Sequence, residues 1–286
     1  MRAVAREQPL SAPERAAAFL RALATGRLIR TRSLAMVVAH PDDEAIGAGA
    51  QLPRLNGITM IHVTDGAPRK PHDAERHGFA TAAEYAFARA RELERVMMLA
   101  GIPVADRFCL GVADQEAALH LPRVARALVR LFLERATEIV LIHSYEGGHP
   151  DHDAAAFAVH AAVALLRREG REIAIIEMPF YRADGDGWAV QRFAPAPAAV
   201  ETVLALGDRD RAMKRQMLAA HSTQAGMLAL FGVEAERFRI APAYDFAILP
   251  NDGHLHYERH DWGMTGARWI PLVEAASREL GLEPTS

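Results

Sequence analysis

Several ionisable side chains stand together where an apolar segment ends, in the stretch "AHPDDE" (residues 39–44). His40, Asp42, Asp43 and Glu44 directly follow the apolar run "LAMVVA". Burying such groups without partners is costly, so a function explains them better than core packing does. Acids at the start of a helix can also serve simply as its cap. Capping accounts for the acids, but it requires no histidine.

The stretch "HPDH" (residues 149–152) repeats this chemistry much later in the chain. It follows the apolar run "EIVLIHS" and a flexible Gly-Gly pair, and it leads into a helical pattern. Each stretch combines His-Pro-Asp with a further residue of a type that binds metals. A matched pair of this kind favours one metal site over two independent helix caps. The natural ligands are His40, Asp43 and His152.

Two imidazoles and one carboxylate suit Zn²⁺, and three protein ligands leave a coordination position for water, as catalytic zinc sites do. The same set also holds iron(II) in facial-triad enzymes, so iron(II) or another divalent metal stays open. Zinc lowers the pKa of a bound water toward about 7, which makes a nucleophile available at neutral pH.

The other charged residues of the two stretches then acquire catalytic roles. Asp42, next to the ligand Asp43, is placed to accept the proton of the attacking water as general base. His149 is predicted to be an imidazolium that stabilises the oxyanion, a contribution of about 3 kcal/mol to the barrier. Asp151 is predicted to orient His149 and to favour its charged form. A metal, a base and an oxyanion donor together describe hydrolysis of an acyl group.

Alternating strand-like and helix-like segments must bring the two stretches together. Short apolar runs rich in β-branched residues are typical of strands buried on both faces of a sheet. Their alternation with helical patterns predicts an α/β protein with a Rossmann-like three-layer fold, a mostly parallel sheet, helices on both faces and a C-terminal cap region. Sites in such sheets form beyond the carboxyl ends of the strands, so both stretches are expected on one rim. The predicted strands are "LAMVVA", "ITMIHV", "RFCLGV", "EIVLIHS" and "EIAIIEMP", with "VETVLAL" as a further candidate, and the predicted helices are 45–55, 81–100, 116–135, 153–168, 208–221 and 265–280.

The chain of 286 residues is predicted to form a single domain. The α/β core covers 33–179, the cap and the C-terminal helices cover 180–286, and an N-terminal helix covers 11–25. Ser11 and Glu14 have the spacing of a capping box at the start of that helix.

The composition argues against several classes of protein. The formal net charge is −3, which gives no electrostatic reason to expect nucleic acid or an anionic membrane as a partner. The single cysteine, Cys109, fits a reducing compartment. Neither a secretory signal nor an apolar stretch of membrane-spanning length is expected. A cytoplasmic protein that acts on a small molecule is therefore predicted, and a homo-oligomer is left open.

At the two stretches the sequence resembles the LmbE/PIG-L family of zinc-dependent N-deacetylases. "AHPDDE" and "HPDH" are similar to that family's two signature motifs, in the expected order and separation, and the resemblance covers roughly residues 33–179. Weaker similarities are "VTDG", "RELERVMMLAGI" and "KRQMLAAHSTQ". The resemblance implies a Rossmann-like fold, zinc on the three predicted ligands, a base at Asp42 and an oxyanion-stabilising histidine at His149.

The same resemblance implies the substrate class, an N-acetylglucosamine unit joined to another group, with acetate released. After the second strand the chain reads "TDGAPRKPHDAERHG" where many members have Gly-Glu-x-Gly, so no specific substrate is carried over. A zinc amidase that cleaves a larger amide, such as a thiol conjugate, is the alternative reaction. A sugar-binding protein with an inert metal is a further alternative, although binding alone needs neither Asp42 nor His149. An iron(II) oxygenase is disfavoured, because that class is usually built on a β-sandwich-like barrel.

Other polar residues are weaker candidates. Arg69 and Tyr145 are predicted near the mouth of the site, with weak claims to substrate contacts. Arg91 has a similarly weak claim, and a solvated helix charge is the favoured interpretation of it. Histidines on apolar elements, predicted to be hydrogen-bonded core residues, are His62, His143 and His160. The segment "HLHYERH" supplies a rival set of potential metal ligands, His254, His256 and His260. A partly exposed turn and strand of the cap is the favoured interpretation of that set, and a place lining the substrate cleft is the alternative.

Overall fold

The apolar runs and the helical patterns fold into a central sheet with helices on both faces. The computed structural model describes residues 10–195 and 199–282. The strands are β1 (Ile29–Arg30), β2 (Leu34–Val38), β3 (Leu55–Asn56), β4 (Thr59–Pro68), β5 (Arg107–Asp114), β6 (Ile139–His143), β7 (Ala174–Met178), β8 (Tyr181–Asp184), β9 (Gly187–Val190), β10 (Glu201–Ala205) and β11 (Ala235–Ile240). The α-helices are α1 (Ala12–Ala24), α2 (Asp43–Ala48), α3 (Pro71–Arg76), α4 (Ala82–Ala100), α5 (Leu121–Glu134), α6 (Pro150–Arg168), α7 (Asp208–Ala220), α8 (Ala225–Leu228) and α9 (Gly266–Glu279).

The central sheet has the strand order β10-β11-β7-β6-β2-β4-β5 in the described part of the chain. The five strands from β7 to β5 in that order are parallel to one another. Strand β11 is antiparallel to β7, and β10 is antiparallel to β11. The prediction of a mixed α/β fold with a mostly parallel sheet is therefore confirmed.

Two hydrophobic cores lie on opposite faces of this sheet because successive side chains of a strand point to opposite sides. All five residues of β2 are buried. Ala35 and Val37 of β2 pack in one core with residues of α5, α6 and α9. Leu34 and Met36 of β2 pack in the other core with residues of α1, α4 and α7. This two-sided burial explains why the parallel strands are apolar at consecutive positions.

The order of the strands brings the two motif loops together. Strand β2 ends at Val38 and pairs in parallel with β6, which ends at His143. In the sheet, β4 lies on one side of β2 and β6 lies on its other side. The chain therefore crosses over in one direction from β2 to β4 and β5, and in the opposite direction when it returns to form β6 and β7. Such a switch point opens a crevice at the carboxyl ends of the two strands.

Two helices begin and end as their sequences predict. Helix α1 follows Ser11, whose backbone N–H donates to the carboxylate of Glu14 at 2.9 Å, so the predicted capping box is formed. Helix α4 follows Thr81, whose hydroxyl accepts from the backbone N–H of Glu84 at 3.1 Å. It ends at Gly101, whose φ of 71° lies in the left-handed region that glycine adopts without strain.

The C-terminal third contributes β10 and β11 to the central sheet. Strand β10 corresponds to the predicted candidate strand, but β11 was not predicted because its alternating burial leaves no continuous apolar run. Since β11 pairs with β7, the predicted boundary at residue 179 does not separate the sheet from the rest. The division of the chain into a core and a cap remains a prediction. Across the described residues, every helix falls short of the length or the apolarity that crossing a membrane takes.

Candidate metal centre

The three predicted ligands converge at the carboxyl ends of β2 and β6. Asp43 is the first residue of α2, and one of its carboxylate oxygens lies 3.3 Å from His40 Nδ1. Its other oxygen lies 3.2 Å from Nε2 of His152, in the first turn of α6. One ligand atom from each of the three residues lies within 4.8 Å of the others, and all three residues are buried. The tertiary structure thus places the two motifs around one point.

The charges around His40 fit a cation at this point. Nε2 of His40 lies 3.1 Å from Asp114 and 3.3 Å from Asp151, while Asp43 faces its other nitrogen. Burial lowers the pKa of His40, but these three carboxylates outweigh burial and raise it well above its usual value. Burial opposes ionisation of Asp43, yet the charge of His152 outweighs it and holds the pKa of Asp43 low. Buried carboxylates that gather positive charge in this way are suited to a divalent ion.

Asp114 is a member of this cluster that the sequence analysis missed. It is the last residue of β5, and together with His40, His149 and Asp151 it forms a second group of potential metal ligands. Its Oδ1 is buried and lies 3.1 Å from Nε2 of His40 and 3.8 Å from Nε2 of His149. The available signal was its place, because an acid that ends a parallel strand lies on the same rim as the two motifs.

Asp42 is a buried acid beside the ligand cluster rather than a cap. Its side chain makes no capping hydrogen bond to α2, although it occupies the N-cap position, so the capping interpretation fails for this residue. Its φ of 127° is a strained conformation for a residue other than glycine. Burial raises the pKa of Asp42 to about 7, although the guanidinium of Arg89 opposes the shift. A group with this pKa can both take up and release a proton near neutral pH.

His149 and Asp151 lie in the cluster, but not in the arrangement predicted. Nδ1 of His149 accepts the backbone N–H of Asp151 at 3.1 Å, so the imidazole itself caps α6. The Asp151 carboxylate accepts the backbone N–H groups of Gln115 and Ala117 and faces His40. Burial, followed by the charge of His40, lowers the pKa of His149 well below its usual value. Because Nδ1 accepts a backbone N–H, Nε2 is the nitrogen of this ring that can donate a hydrogen bond, and the predicted imidazolium remains a prediction.

The Gly-Gly pair ahead of His149 allows a close contact instead of a loose loop. A Cβ at Gly148 would lie 2.0 Å from the backbone oxygen of Tyr181. Gly147 has a φ of 71°, in the left-handed region. Both glycines are thus needed for the path by which this loop reaches β8.

A carboxylate behind Asp42 fixes the backbone of the first motif. One oxygen of Glu44 accepts the backbone N–H of Asp42 at 2.9 Å and lies 3.1 Å from His62 Nε2. The other oxygen lies 2.8 Å from Nε2 of His221. Burial raises the pKa of Glu44, but the charge of His221 outweighs it and lowers the pKa well below its usual range. The network holds Asp42 in its strained conformation.

The three histidines predicted to lie in the core do not share one role. His62 is a hydrogen-bonded core residue, as predicted, and its partner is the carboxylate of Glu44. His143 accepts the backbone N–H of Ala39 at 2.9 Å and stacks on the predicted ligand His152, with ring centroids 4.1 Å apart. Nε2 of His160 is buried and has no hydrogen-bond partner. His143 thus supports the ligand cluster from behind.

Two of the three predicted substrate contacts, Arg91 and Tyr145, are directed away from the ligand cluster. Arg69, which directly follows β4, forms an ion pair with Asp65 of that strand, and its contact with substrate remains a prediction. Arg91 is exposed on α4, with its guanidinium 6.0 Å from the ring centre of Phe87. The hydroxyl of Tyr145 is directed into the core, where it donates to the backbone oxygen of Ile248 at 3.1 Å. These contacts give Tyr145 and Arg91 no access to the cluster.

Arg89, and not Arg91, is the arginine of α4 that reaches the site. It is 3% exposed, and its guanidinium donates to Asp42 at 2.9 Å, to the backbone oxygen of Gly66 at 2.7 Å and to that of Pro41. Residues two apart on a helix point in very different directions, so only one of the two can face inward. The helical phase set by Tyr85 and Val96, which are buried on the same face, was the available signal.

We expect Arg89→Ala to lower the free energy of unfolding by about 3 kcal/mol, because it leaves the buried Asp42 and two backbone oxygens without their donor. Arg91→Ala, two residues away on the same helix, is the matched control and should change it by less than about 0.5 kcal/mol. Chemical denaturation of the two variants measures both values. Equal losses would contradict the assignment of Arg89 as the structural partner of Asp42.

The rival histidine set does not gather around a point. His254 directs Nδ1 toward the backbone oxygen of Asn251, at 3.2 Å. Nε2 of His256 lies 3.1 Å from Nε2 of His260. Among the described residues, no group of three or more potential metal ligands includes any member of this set.

Comparison with known families agrees with this geometry. The family described as "PIG-L: GlcNAc-PI de-N-acetylase" matches residues 35–163, a little under half of the chain. That segment contains both motifs and the strands from β2 to β6. The resemblance predicted from the two motifs is therefore confirmed for this part of the chain.

Individual proteins extend the comparison. A probable N-acetyl-alpha-D-glucosaminyl L-malate deacetylase 2 from Bacillus cereus is 27% identical over 146 residues, which are 50% of this chain and 66% of that protein, just under two thirds of its length. A deacetylase of the teicoplanin biosynthesis pathway matches with a TM-score of 0.57 at 17% identity, over 76% of this chain and 100% of that one. The N,N'-diacetylchitobiose deacetylase from Pyrococcus horikoshii gives 0.53 at 18% identity, over 86% of this chain and 98% of that one. The chain has the fold of these deacetylases.

Proposed function

We propose that this protein is a zinc-dependent hydrolase that removes the N-acetyl group from an N-acetylglucosamine-type amino sugar conjugate and releases acetate. The observation that carries the proposal is the convergence of His40, Asp43 and His152 beside the buried acid Asp42. Two of the proteins compared above are deacetylases of N-acetylglucosaminyl malate and of diacetylchitobiose, which supports the amino sugar as the substrate class. A cytoplasmic location remains a prediction.

The proposed reaction assigns a task to each side chain at the site. When bound at the three ligands, a divalent ion would polarise the amide carbonyl and acidify a water molecule. Asp42 accepts the proton of the attacking water and returns it to the leaving amine. His149 donates through Nε2 to the carbonyl oxygen as that oxygen gains negative charge. Arg89 and Glu44 hold Asp42 in place from two sides.

Acetate release from a panel of N-acetylglucosamine conjugates tests the reaction. We expect acetate from at least one conjugate, loss of turnover in a metal chelator, and recovery on addition of one equivalent of Zn²⁺. Iron(II) under anaerobic conditions serves as the comparison metal, because the ligand set suits both ions. Release of a larger acyl group without acetate from any conjugate would favour the amidase alternative. Undiminished turnover of metal-free protein would contradict the proposal.

A further inference from the structure

A row of partly exposed rings lies beside the candidate metal centre. We name it the aromatic strip, and it consists of Trp188, His256, His260 and Trp262. Trp188 stacks on His256 with ring centroids 5.1 Å apart and an interplanar angle of 7°. His260 stacks on Trp262 at 4.2 Å and 15°. The two stacks join where the rings of His256 and His260 lie 4.8 Å apart.

The strip is continuous with the proposed catalytic residues. The ring of Trp262 lies 4.5 Å from that of His149. The ring centroid of Tyr181 lies 5.5 Å from that of His152 and 5.3 Å from that of Trp188. One end of the strip therefore adjoins His149 through Trp262, and the other end adjoins His152 through Tyr181. The strip is therefore a surface within reach of a group attached to a substrate at the metal centre.

Contacts between separate segments hold the strip in place. The guanidinium of Arg259 donates to the backbone oxygens of Asp186 and Gly187, at 3.0 and 2.8 Å, which ties the histidine segment to the turn between β8 and β9. The ammonium of Lys70 donates to the backbone oxygen of Asp261. Rings that are already ordered lose little entropy when a ligand binds.

The chemistry of the strip selects among possible ligands. Indole rings offer apolar surface for the C–H faces of a pyranose ring. Nε2 of His256 and Nε2 of His260 lie 3.1 Å apart and form a hydrogen bond with each other in the middle of the strip. His260 is exposed, so its other ring nitrogen, Nδ1, can exchange a hydrogen bond with a hydroxyl group. Burial lowers the pKa of His256 to about 4, so its ring is neutral. An alkyl chain on the same surface would offer Nδ1 of His260 no hydrogen-bond partner.

We propose that the aromatic strip binds a second pyranose ring, linked to the amino sugar that reacts at the metal centre. The proposal rests on the proposed function for the position of the first sugar. It assigns the strip as the part of the site that distinguishes a disaccharide unit from a single amino sugar.

The test compares the binding of glucosamine with that of its β-1,4-linked disaccharide, chitobiose. Neither ligand carries an acetyl group, so binding is measured whether or not the deacetylase reaction is correct. Ligand-observed NMR titration of the metal-loaded protein should give a dissociation constant about ten-fold lower for the disaccharide. Tryptophan fluorescence should change on binding, because Trp188 and Trp262 are partly exposed while Trp269 is fully buried.

Variants of the strip locate the effect. Trp188→Ala and Trp262→Ala should each weaken disaccharide binding by about five-fold and leave glucosamine binding unchanged. Trp262→Phe keeps a stacking ring and should retain most of the affinity. Phe87→Ala, which removes an exposed aromatic ring of α4, is the control and should alter neither ligand. Thermal unfolding shows that each variant is folded.

Three results would overturn the proposal. The first is a disaccharide that binds no more tightly than glucosamine. The second is an equal loss of affinity for both ligands in the tryptophan variants, which would mean that the strip binds the first sugar. The third is an octyl glucosaminide that binds more tightly than the disaccharide and depends on Trp262, which would identify an alkyl chain as the ligand.

Discussion

Asp42→Asn is expected to reduce turnover about 1,000-fold while the protein keeps its metal. The amide cannot accept a proton from water, but it can still accept the hydrogen bond that Arg89 donates to Asp42 at 2.9 Å. Asp42 makes no contact that the three ligands need, so metal content should remain at one ion per chain. Acetate release and elemental analysis of the same preparation measure the two quantities together.

The control for this variant is Asp65→Asn, which neutralises an acid that pairs with Arg69 outside the ligand cluster. It should retain turnover within about two-fold, since surface substitutions of this kind have small effects. Parent-like turnover in Asp42→Asn would remove Asp42 as the base. Loss of metal together with activity would instead show that Asp42 supports the ligand cluster.

His152→Ala is expected to weaken metal binding by at least about 100-fold, which is more than the loss of an outer partner of a ligand usually costs. The imidazole supplies one of only three protein ligands, and its Nε2 lies 3.2 Å from the carboxylate of Asp43. Competition with a chelator of known affinity measures the change, and acetate release should fall in proportion to metal occupancy.

His160→Ala provides a matched control on the same helix. His160 lies eight residues after His152 on α6, and its ring packs against Tyr244 and Phe246 rather than the ligand cluster. The His160→Ala variant should bind metal with the affinity of the parent protein, even if its free energy of unfolding changes. Equal metal loss in both variants, or full occupancy in His152→Ala, would exclude the proposed ligand set.

The position of the motif loops was predictable because each rule involved is local. Consecutive apolar residues identify strands that are buried on both faces, as in β2. Each motif directly follows such a strand, and parallel strands carry sites at their carboxyl ends. The capping box of α1 and the glycine end of α4 follow from local backbone chemistry in the same way.

Side-chain direction at the site was less predictable, since it depends on contacts between distant segments. Arg91 was predicted as a substrate contact and Arg89 was not considered, whereas the structure shows that Arg89 is the arginine of this helix that contacts Asp42. Asp151 was expected to face His149, but backbone N–H groups that follow β5 hold its carboxylate against His40. Such donors have no signature near Asp151 in the sequence.

The sequence by itself determined the predicted type of chemistry, because the identity and spacing of the residues in two short motifs are typical of a set of metal ligands and a base. Only the tertiary structure decided the environment of that chemistry. Parallel pairing of β2 with β6 joins loops whose histidines, His40 and His149, are 109 residues apart in the chain. The same folding brings Arg89 and Asp114 to the ligand cluster. Burial and neighbouring charges, which exist only after folding, then shift the pKa values of Asp42 and His149.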